Sequence, residues 1–428
     1  MNIRSILVLL LIAAMSLLSC EKSITDPTPP PTDTINRTVI IYMNSRNSLG
    51  SSDFDAMDSV EIMQGAKFLT PSDQILLINN SHNPAIYCIK SVSGSVSSTK
   101  VKEYPAEQNM SDPLFMKDLL EWTKTNFRSK SYGLTMWSHA DGWLPSLNKK
   151  YSERSFGVDV GPDGNASLDK TKNGDIGLQM DIEDMASAIE SSGIHFEFIF
   201  FDACMMQCVE SCYTLRKCAN YIIGSPAPIP GIGAQYTRML RYAFFTEPFD
   251  PKEIINQYFE VVKTYPEYRN TDLVISAVKT SELDSLARIT AEVLTKKIQG
   301  TYEPELSGVI SYYLYDYYLM FRPEYYDIND AMRQMIPEID YLRWKAQLNR
   351  CIVAKQSTET IYNGLYRTYI DLNHYSGMSM FIPQKRYTKN ASRCYFGDLN
   401  EKFTHTAWYT DAGWKNTKLV EYVRNINN

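Results

Sequence analysis

From Thr38 onward, short apolar runs alternate with amphipathic segments. Val39-Ile40-Ile41-Tyr42-Met43 and Gln74-Ile75-Leu76-Leu77-Ile78 are near-continuous apolar runs, which predicts buried strands. Residues 54–68, between them, space their apolar side chains as a helix does. Residues 113–127 predict a second helix, with Asp112 as N-cap and Pro113 at the first helical position, where a missing N–H costs nothing. Residues 132–139 predict a strand that ends on a histidine, and a loop rich in Gly, Asp, Asn and Lys follows over 140–178. Then come a helix at 181–191 and a strand at 196–201 that runs straight into Asp202-Ala203-Cys204. A helix at 205–217 and a strand at 221–226 complete this part. Beyond about residue 245 the pattern is mainly helical, with strands at 273–278 and 377–383. The tyrosines Tyr312, Tyr313, Tyr315, Tyr317 and Tyr318 read as core packing, and no internal repeat is visible.

Strand and helix in strict alternation give an α/β fold, a parallel sheet with helices on both faces. Ligands of such sheets bind at the carboxyl ends of the strands. His139 and Cys204 both fall at such ends.

The first twenty residues follow another logic. Arg4 supplies a positive start, an apolar stretch runs from Ile6 to Leu18, and Leu17-Leu18-Ser19-Cys20 closes it. The stretch is too short to span a bilayer and reads as a secretory signal over 1–19. Its last four residues match the bacterial lipobox, so Cys20 is expected to carry the lipid and become the new N-terminus. Residues 20–36 are a proline-rich polar tether, which stays extended and holds a domain off the membrane. The expected location is the cell envelope with a lipid anchor. Glu21-Lys22 lacks the Asp that retains lipoproteins at the inner membrane, which favours the outer one.

Composition narrows the picture further. A formal net charge of −6 gives no basic surface for a nucleic-acid partner. Of 8 cysteines, removing Cys20 leaves an odd number in an oxidising compartment, so at least one thiol is unpaired within the monomer.

The candidate chemistry lies at the junction after 196–201. A thiol there is expected to meet the positive end of the helix starting near Met205, which favours the nucleophilic thiolate. Backbone N–H groups at the same junction can hold an oxyanion. His139, on another strand end, can move protons. Read alone, one Cys and one His make a weak signal.

The local strings are stronger. Trp137-Ser138-His139-Ala140-Asp141-Gly142-Trp143, Ser155-Phe156-Gly157-Val158-Asp159 and Phe201-Asp202-Ala203-Cys204-Met205-Met206 resemble the clostripain family of cysteine peptidases, relatives of gingipains, legumains and caspases. Val209-Glu210, Tyr221-Ile222-Ile223-Gly224-Ser225-Pro226 and Ile229-Pro230-Gly231 continue it in the family's order over about 38–240, and 377–383 with Trp408-Tyr409 do so more loosely. The resemblance implies a caspase-like, mostly parallel sheet flanked by helices at 37–245, and a mainly helical C-terminal extension packed on it at 246–428. It implies His139 and Cys204 as the catalytic pair, working through a thioester, with the backbone N–H groups of Ala140 and Cys204 binding the oxyanion. Asp202 and Ser225 are implied substrate-binding residues. A carboxylate at 202 would favour Arg or Lys at P1. Peptide or protein substrates are the expected partners.

The family has Gly where this chain has Ala140. A left-handed turn there would strain an alanine. That keeps a second reading open, a catalytically inactive lipoprotein acting as a surface binding protein. Relatives cut themselves in the loop before the cysteine, and Lys149, Lys150, Arg154, Lys170 and Lys172 are candidate self-cleavage points. No cofactor is required by this chemistry. Asp159, Asp163, Asn165, Asp169 and Asp175 make calcium a candidate ligand, although their spacing is not that of an EF-hand. Cys204, Cys208, Cys212 and Cys218 lack the second pair that zinc sites use, so no metal site is assigned; Cys208 and Cys212 read as packing residues or half of a disulfide.

Overall fold

The structure is a computed structural model that describes residues 35–144, 155–163, 177–264, 272–297, 304–313, 325–362, 367–388, 398–417 and 419. Its strands are β1 (Arg37–Met43), β2 (Asp73–Asn79), β3 (Ala85–Val92), β4 (Ser95–Glu103), β5 (Ser131–Trp137), β6 (Phe156–Asp159), β7 (Leu178–Met180) and β8 (Phe196–Asp202). They continue with β9 (Ala219–Gly224), β10 (Val274–Lys279), β11 (Tyr326–Asp327), β12 (Ile352–Ser357), β13 (Thr360–Tyr362), β14 (Arg367–Tyr369) and β15 (Ser379–Met380).

Nine strands form one sheet in the order β12-β10-β9-β8-β5-β1-β2-β3-β4. The five central strands, β9 to β2, run parallel. Antiparallel strands flank them on both sides. Each central strand is largely buried on both faces, which is why its sequence is mostly apolar rather than alternating. Alternate residues serve opposite faces. Ile40, Tyr42, Leu134, Met136, Ile199 and Phe201 join one core cluster, which also holds Phe115, Leu119 and Ile189 from the helices Pro113–Asn126 and Ile182–Ser192. Val39, Ile41, Met43, Trp137, Phe198 and Phe200 join the other, with Ile62, Tyr236 and Tyr258 from the helices Phe54–Gly65, Tyr236–Tyr242 and Pro251–Thr264. Gly133 is dictated by this packing, since a Cβ there would lie 2.4 Å from the Phe198 ring.

The expected N-cap is present: the Asp112 carboxylate accepts the Leu114 N–H at 2.9 Å, and Pro113 opens the helix. Other expectations need correction. The segment after residue 245 supplies β10 and β12 to the central sheet itself. The run 377–383 is buried, but only Ser379–Met380 is a strand, paired with β11. The helix expected from Met205 begins at Val209, so the cysteine does not sit at its first turn. Cys204, Cys208 and Cys212 therefore do not share a helix. Tyr312 and Tyr313 are buried, and Tyr315, Tyr317 and Tyr318 lie outside the described residues. No helix among the described residues is long and apolar enough to cross a membrane, and Cys20 with its signal and tether lies outside them.

Candidate active site

β5 and β8 are adjacent parallel strands, and Trp137 pairs with Asp202 in register. Each chain then runs two residues further, to His139 and to Cys204. Neighbouring strands lie roughly 4.8 Å apart, so equal offsets from a register pair bring the imidazole and the thiol to one rim of the sheet. Both residues are half-buried.

The histidine is held by the loop that leaves β1. Ser48 Oγ lies 2.8 Å from His139 Nε2. Ser48 is itself buried. Asn47 Nδ2 fixes that loop by donating to the carbonyls of Asn44 at 2.8 Å and Val158 at 3.0 Å, and to Ser138 Oγ at 3.2 Å. On the other side, the His139 carbonyl accepts the Gly157 N–H at 2.8 Å, and Asp141 N–H donates to Ser155 at 3.1 Å. Ala140 stands between these two bonds. The left-handed residue of this turn is Gly142, at φ 76°, and Ala140 is not among the positive-φ residues. The strain that an alanine would have introduced is absent.

The cysteine sits on a different support. Met205, directly after it, has φ 60°, a left-handed conformation that costs a non-glycine residue about 1–2 kcal/mol. Long-range bonds impose it. Met205 N–H donates to Ala227 at 3.1 Å, and Gln207 N–H to Ser225 at 3.1 Å. The Ile229 N–H points at Cys204 Sγ, 3.4 Å away. Ser225 is buried, and its hydroxyl both accepts the Ala227 N–H at 3.1 Å and donates to the Ala227 carbonyl at 3.0 Å. Its visible part is to shape the loop that faces the thiol. The geometry thus replaces the expected helix end with a laced turn and a backbone donor.

The remaining described cysteines make a contrast. Cys88, Cys208, Cys212, Cys218 and Cys351 are free thiols buried in the core, so none of them forms a disulfide with another described residue. Burial pushes the Cys218 and Cys351 thiols up to about 12 and raises Cys208 and Cys212 further. Such thiols stay protonated and inert. Cys204 is the one described cysteine that is not buried.

Asp202 is buried at the last position of β8. Its Oδ2 accepts the Ala234 N–H and the Tyr236 hydroxyl, both at 3.1 Å, and its Oδ1 accepts the Tyr258 hydroxyl at 3.3 Å. Burial raises its carboxyl to about 6 against these donors. Gly233 crosses directly above, where a Cβ would come within 2.7 Å of the carboxylate.

Two residues of this neighbourhood escaped the sequence reading. Ser48 carries no motif; only its place five residues past a strand end hinted at it. Asp58 was detectable, because it is an acid on the sheet-facing stripe of a helix.

Asp159 is buried and committed internally: its carboxylate accepts from Asn80 Nδ2 at 3.0 Å, Met110 N–H at 2.8 Å and Gly161 N–H at 2.9 Å. Asp163 is exposed, and Asn165, Asp169 and Asp175 lie outside the described residues. Among the described residues no group of three His, Cys, Asp or Glu side chains is arranged to hold a metal. Lys149, Lys150, Arg154, Lys170 and Lys172 also lie outside the described residues.

Comparison with known proteins adds to this geometry. The sequence profile of the clostripain family matches residues 41–422. Among solved structures, a secreted C11 cysteine protease from Bacteroides thetaiotaomicron, in complex with an irreversible peptide inhibitor, superposes with a TM-score of 0.71. It is 28% identical, over 89% of this chain and 99% of that one. An inactive zymogen C11 protease from Parabacteroides distasonis gives a TM-score of 0.69 at 26% identity, over 89% of this chain and 99% of that one. Among curated proteins, none matches the sequence.

Proposed function

The chain belongs to the clostripain family of cysteine peptidases, and from that premise we propose that it is an endopeptidase in which Cys204 attacks, His139 moves the proton and Asp202 selects Arg or Lys at P1. The observation that carries the reading is the shared register of Trp137 and Asp202, from which His139 and Cys204 are equally offset. With Nε2 held by Ser48, His139 serves the substrate through Nδ1.

The steps follow. The Cys204 thiolate forms a bond to the scissile carbonyl carbon, and the carbonyl oxygen becomes an oxyanion. Backbone N–H groups of Ala140 and Cys204 are the candidate donors to it. The C–N bond breaks as His139 passes its proton to the leaving amine, which leaves a thioester. Water then adds while His139 takes its proton, and the C–S bond breaks to return the thiolate.

Asp202 favours a basic P1 side chain for an electrostatic reason. A buried carboxylate with neutral donors only is poorly stabilised as an anion, and its raised carboxyl reports this. A lysine ammonium or arginine guanidinium supplies the missing counter-charge. We further propose that the protein is anchored through lipid on Cys20 in the cell envelope. Hydrolysis of a fluorogenic peptide series, alike except for Lys, Arg, citrulline or alanine at P1, tests the specificity. The reading expects Lys and Arg to exceed citrulline by about 100-fold in kcat/KM, a difference of roughly 3 kcal/mol. Equal rates across the series would refute basic selection.

A further inference from the structure

Helix Phe54–Gly65 turns four buried residues toward the body of the protein: Asp55, Asp58, Ile62 and Gly65. Ile62 and Gly65 are what such a stripe requires, Ile62 in the core and Gly65 against Leu240. Two acids on the same stripe are not. Buried carboxylates cost free energy unless something in the site answers them. Asp55 has an answer, since its Oδ2 accepts from Asn79 Nδ2 at 3.3 Å. Asp58 is 3% exposed, and its Oδ2 is buried with no hydrogen-bond partner.

The surroundings of Asp58 are those of Asp202. The helix starts where β1 has ended, so its first turns lie at the carboxyl edge of the sheet. Trp137 is in register with Asp202, and both side chains leave the sheet on the face covered by this helix, Tyr236 and Tyr258. The Trp137 side chain also stabilises the Asp58 carboxylate. Glu61, one turn on, accepts the Tyr236 N–H at 2.8 Å, which ties the helix to the segment that covers Asp202. The charged groups that act most strongly on Asp58 are Asp202, Glu61 and Asp55, all acidic. Burial and these neighbours raise its carboxyl well above the usual range.

We infer that Asp58 is a second specificity residue, which together with Asp202 forms a two-carboxylate floor that takes the cationic end of a Lys or Arg side chain at P1. The inference rests on the basic-P1 reading given above. Two oxygens have acceptor capacity left, Asp58 Oδ2 with no donor and Asp202 Oδ1 with the single long Tyr258 bond. An ammonium has three donors and a guanidinium five, so either cation can bridge both acids while supplying the counter-charge that a neutral isostere lacks. Without a cation between them, the two acids share an environment that resists double ionisation. The entering cation relieves that repulsion, and this makes the preference steeper than one carboxylate would give.

The test is the ratio of kcat/KM for lysine and citrulline at P1, measured on Asp58→Asn, Asp202→Asn and the wild type. A ratio taken within one sample does not depend on the folded fraction. Asp58→Asn is expected to lower the ratio about tenfold or more through the lysine substrate, with the citrulline value unchanged. An unchanged ratio, or an equal loss on both substrates, overturns the role of Asp58 while leaving Asp202 in place. A wild-type ratio near one removes the basic-P1 reading, and the pair with it. Asp58→Ser is the second variant, and failure of both to fold would mark the carboxyl as structural and also overturn the inference.

Discussion

Cys204→Ala is expected to lower peptide hydrolysis on the order of 10⁴-fold or more, because every other described thiol is buried and Cys204 is the proposed nucleophile. The buried cysteines cannot substitute, since burial keeps them protonated. The same variant is expected to migrate as one band where the wild type gives two, if cleavage within the loop before the cysteine is the protein's own work. Two bands from the alanine variant would assign that cleavage to another protease. Ser48→Ala in the same assay is the graded comparison. It removes one hydrogen bond to the imidazole, a contribution of about 1 kcal/mol, and so costs roughly five- to tenfold in kcat without abolishing turnover.

The second large effect concerns charge. Asp202→Asn is expected to lower kcat/KM for lysine and arginine substrates on the order of 10²- to 10³-fold, because it takes the Asp202 counter-charge away from a buried cation. Substrates with neutral P1 residues should be affected far less. The wild type carries a matching pH signature. The Asp202 carboxyl is raised to about 6, and only its ionised form pairs with a cation. Activity on a lysine substrate therefore falls as pH drops through about 6, over a range where a citrulline substrate shows no such loss from this group. The folding balance has the opposite sign. A carboxyl raised on folding contributes stability fully below its unfolded value, and that contribution is lost as pH rises through about 6. The ionised site is thus held at some expense to the fold, as expected of a group kept for binding.

Much of the fold was legible because the central strands are largely buried on both faces and read as mostly apolar runs. The N-terminus of helix Pro113–Asn126 was legible from one capping dipeptide. What was missed lacked such a signature. β4 is an edge strand, largely exposed, and Ser-Val-Ser-Ser-Thr-Lys-Val-Lys-Glu has too little apolar alternation to announce it. β12 begins directly where helix Glu338–Cys351 ends, with no glycine or proline between, so it read as more helix. Residues 377–383 are apolar because they are core, with Met378, Met380, Phe381 and Ile382 buried, rather than because they form a strand. At the site, the strand-end rule and the family strings singled out His139 and Cys204, each two residues beyond the paired Trp137 and Asp202. The turn after Cys204 was misread as helix because its left-handed Met205 is imposed by bonds to residues 225–227, which no local pattern records. Ser48 belongs to the same class, since it acquires meaning only from His139, about 90 residues away beyond the end of β5.

The central claim is that sulfur and imidazole converge, and one measurement reaches it most directly. The protein is incubated with a peptidyl acyloxymethyl ketone bearing lysine at P1, and the adduct is mapped by mass spectrometry of its digest. The account predicts one adduct, on Cys204, and its loss in His139→Ala at matched exposure. Modification of a different cysteine, or of Cys204 at the same rate with and without the histidine, would contradict it.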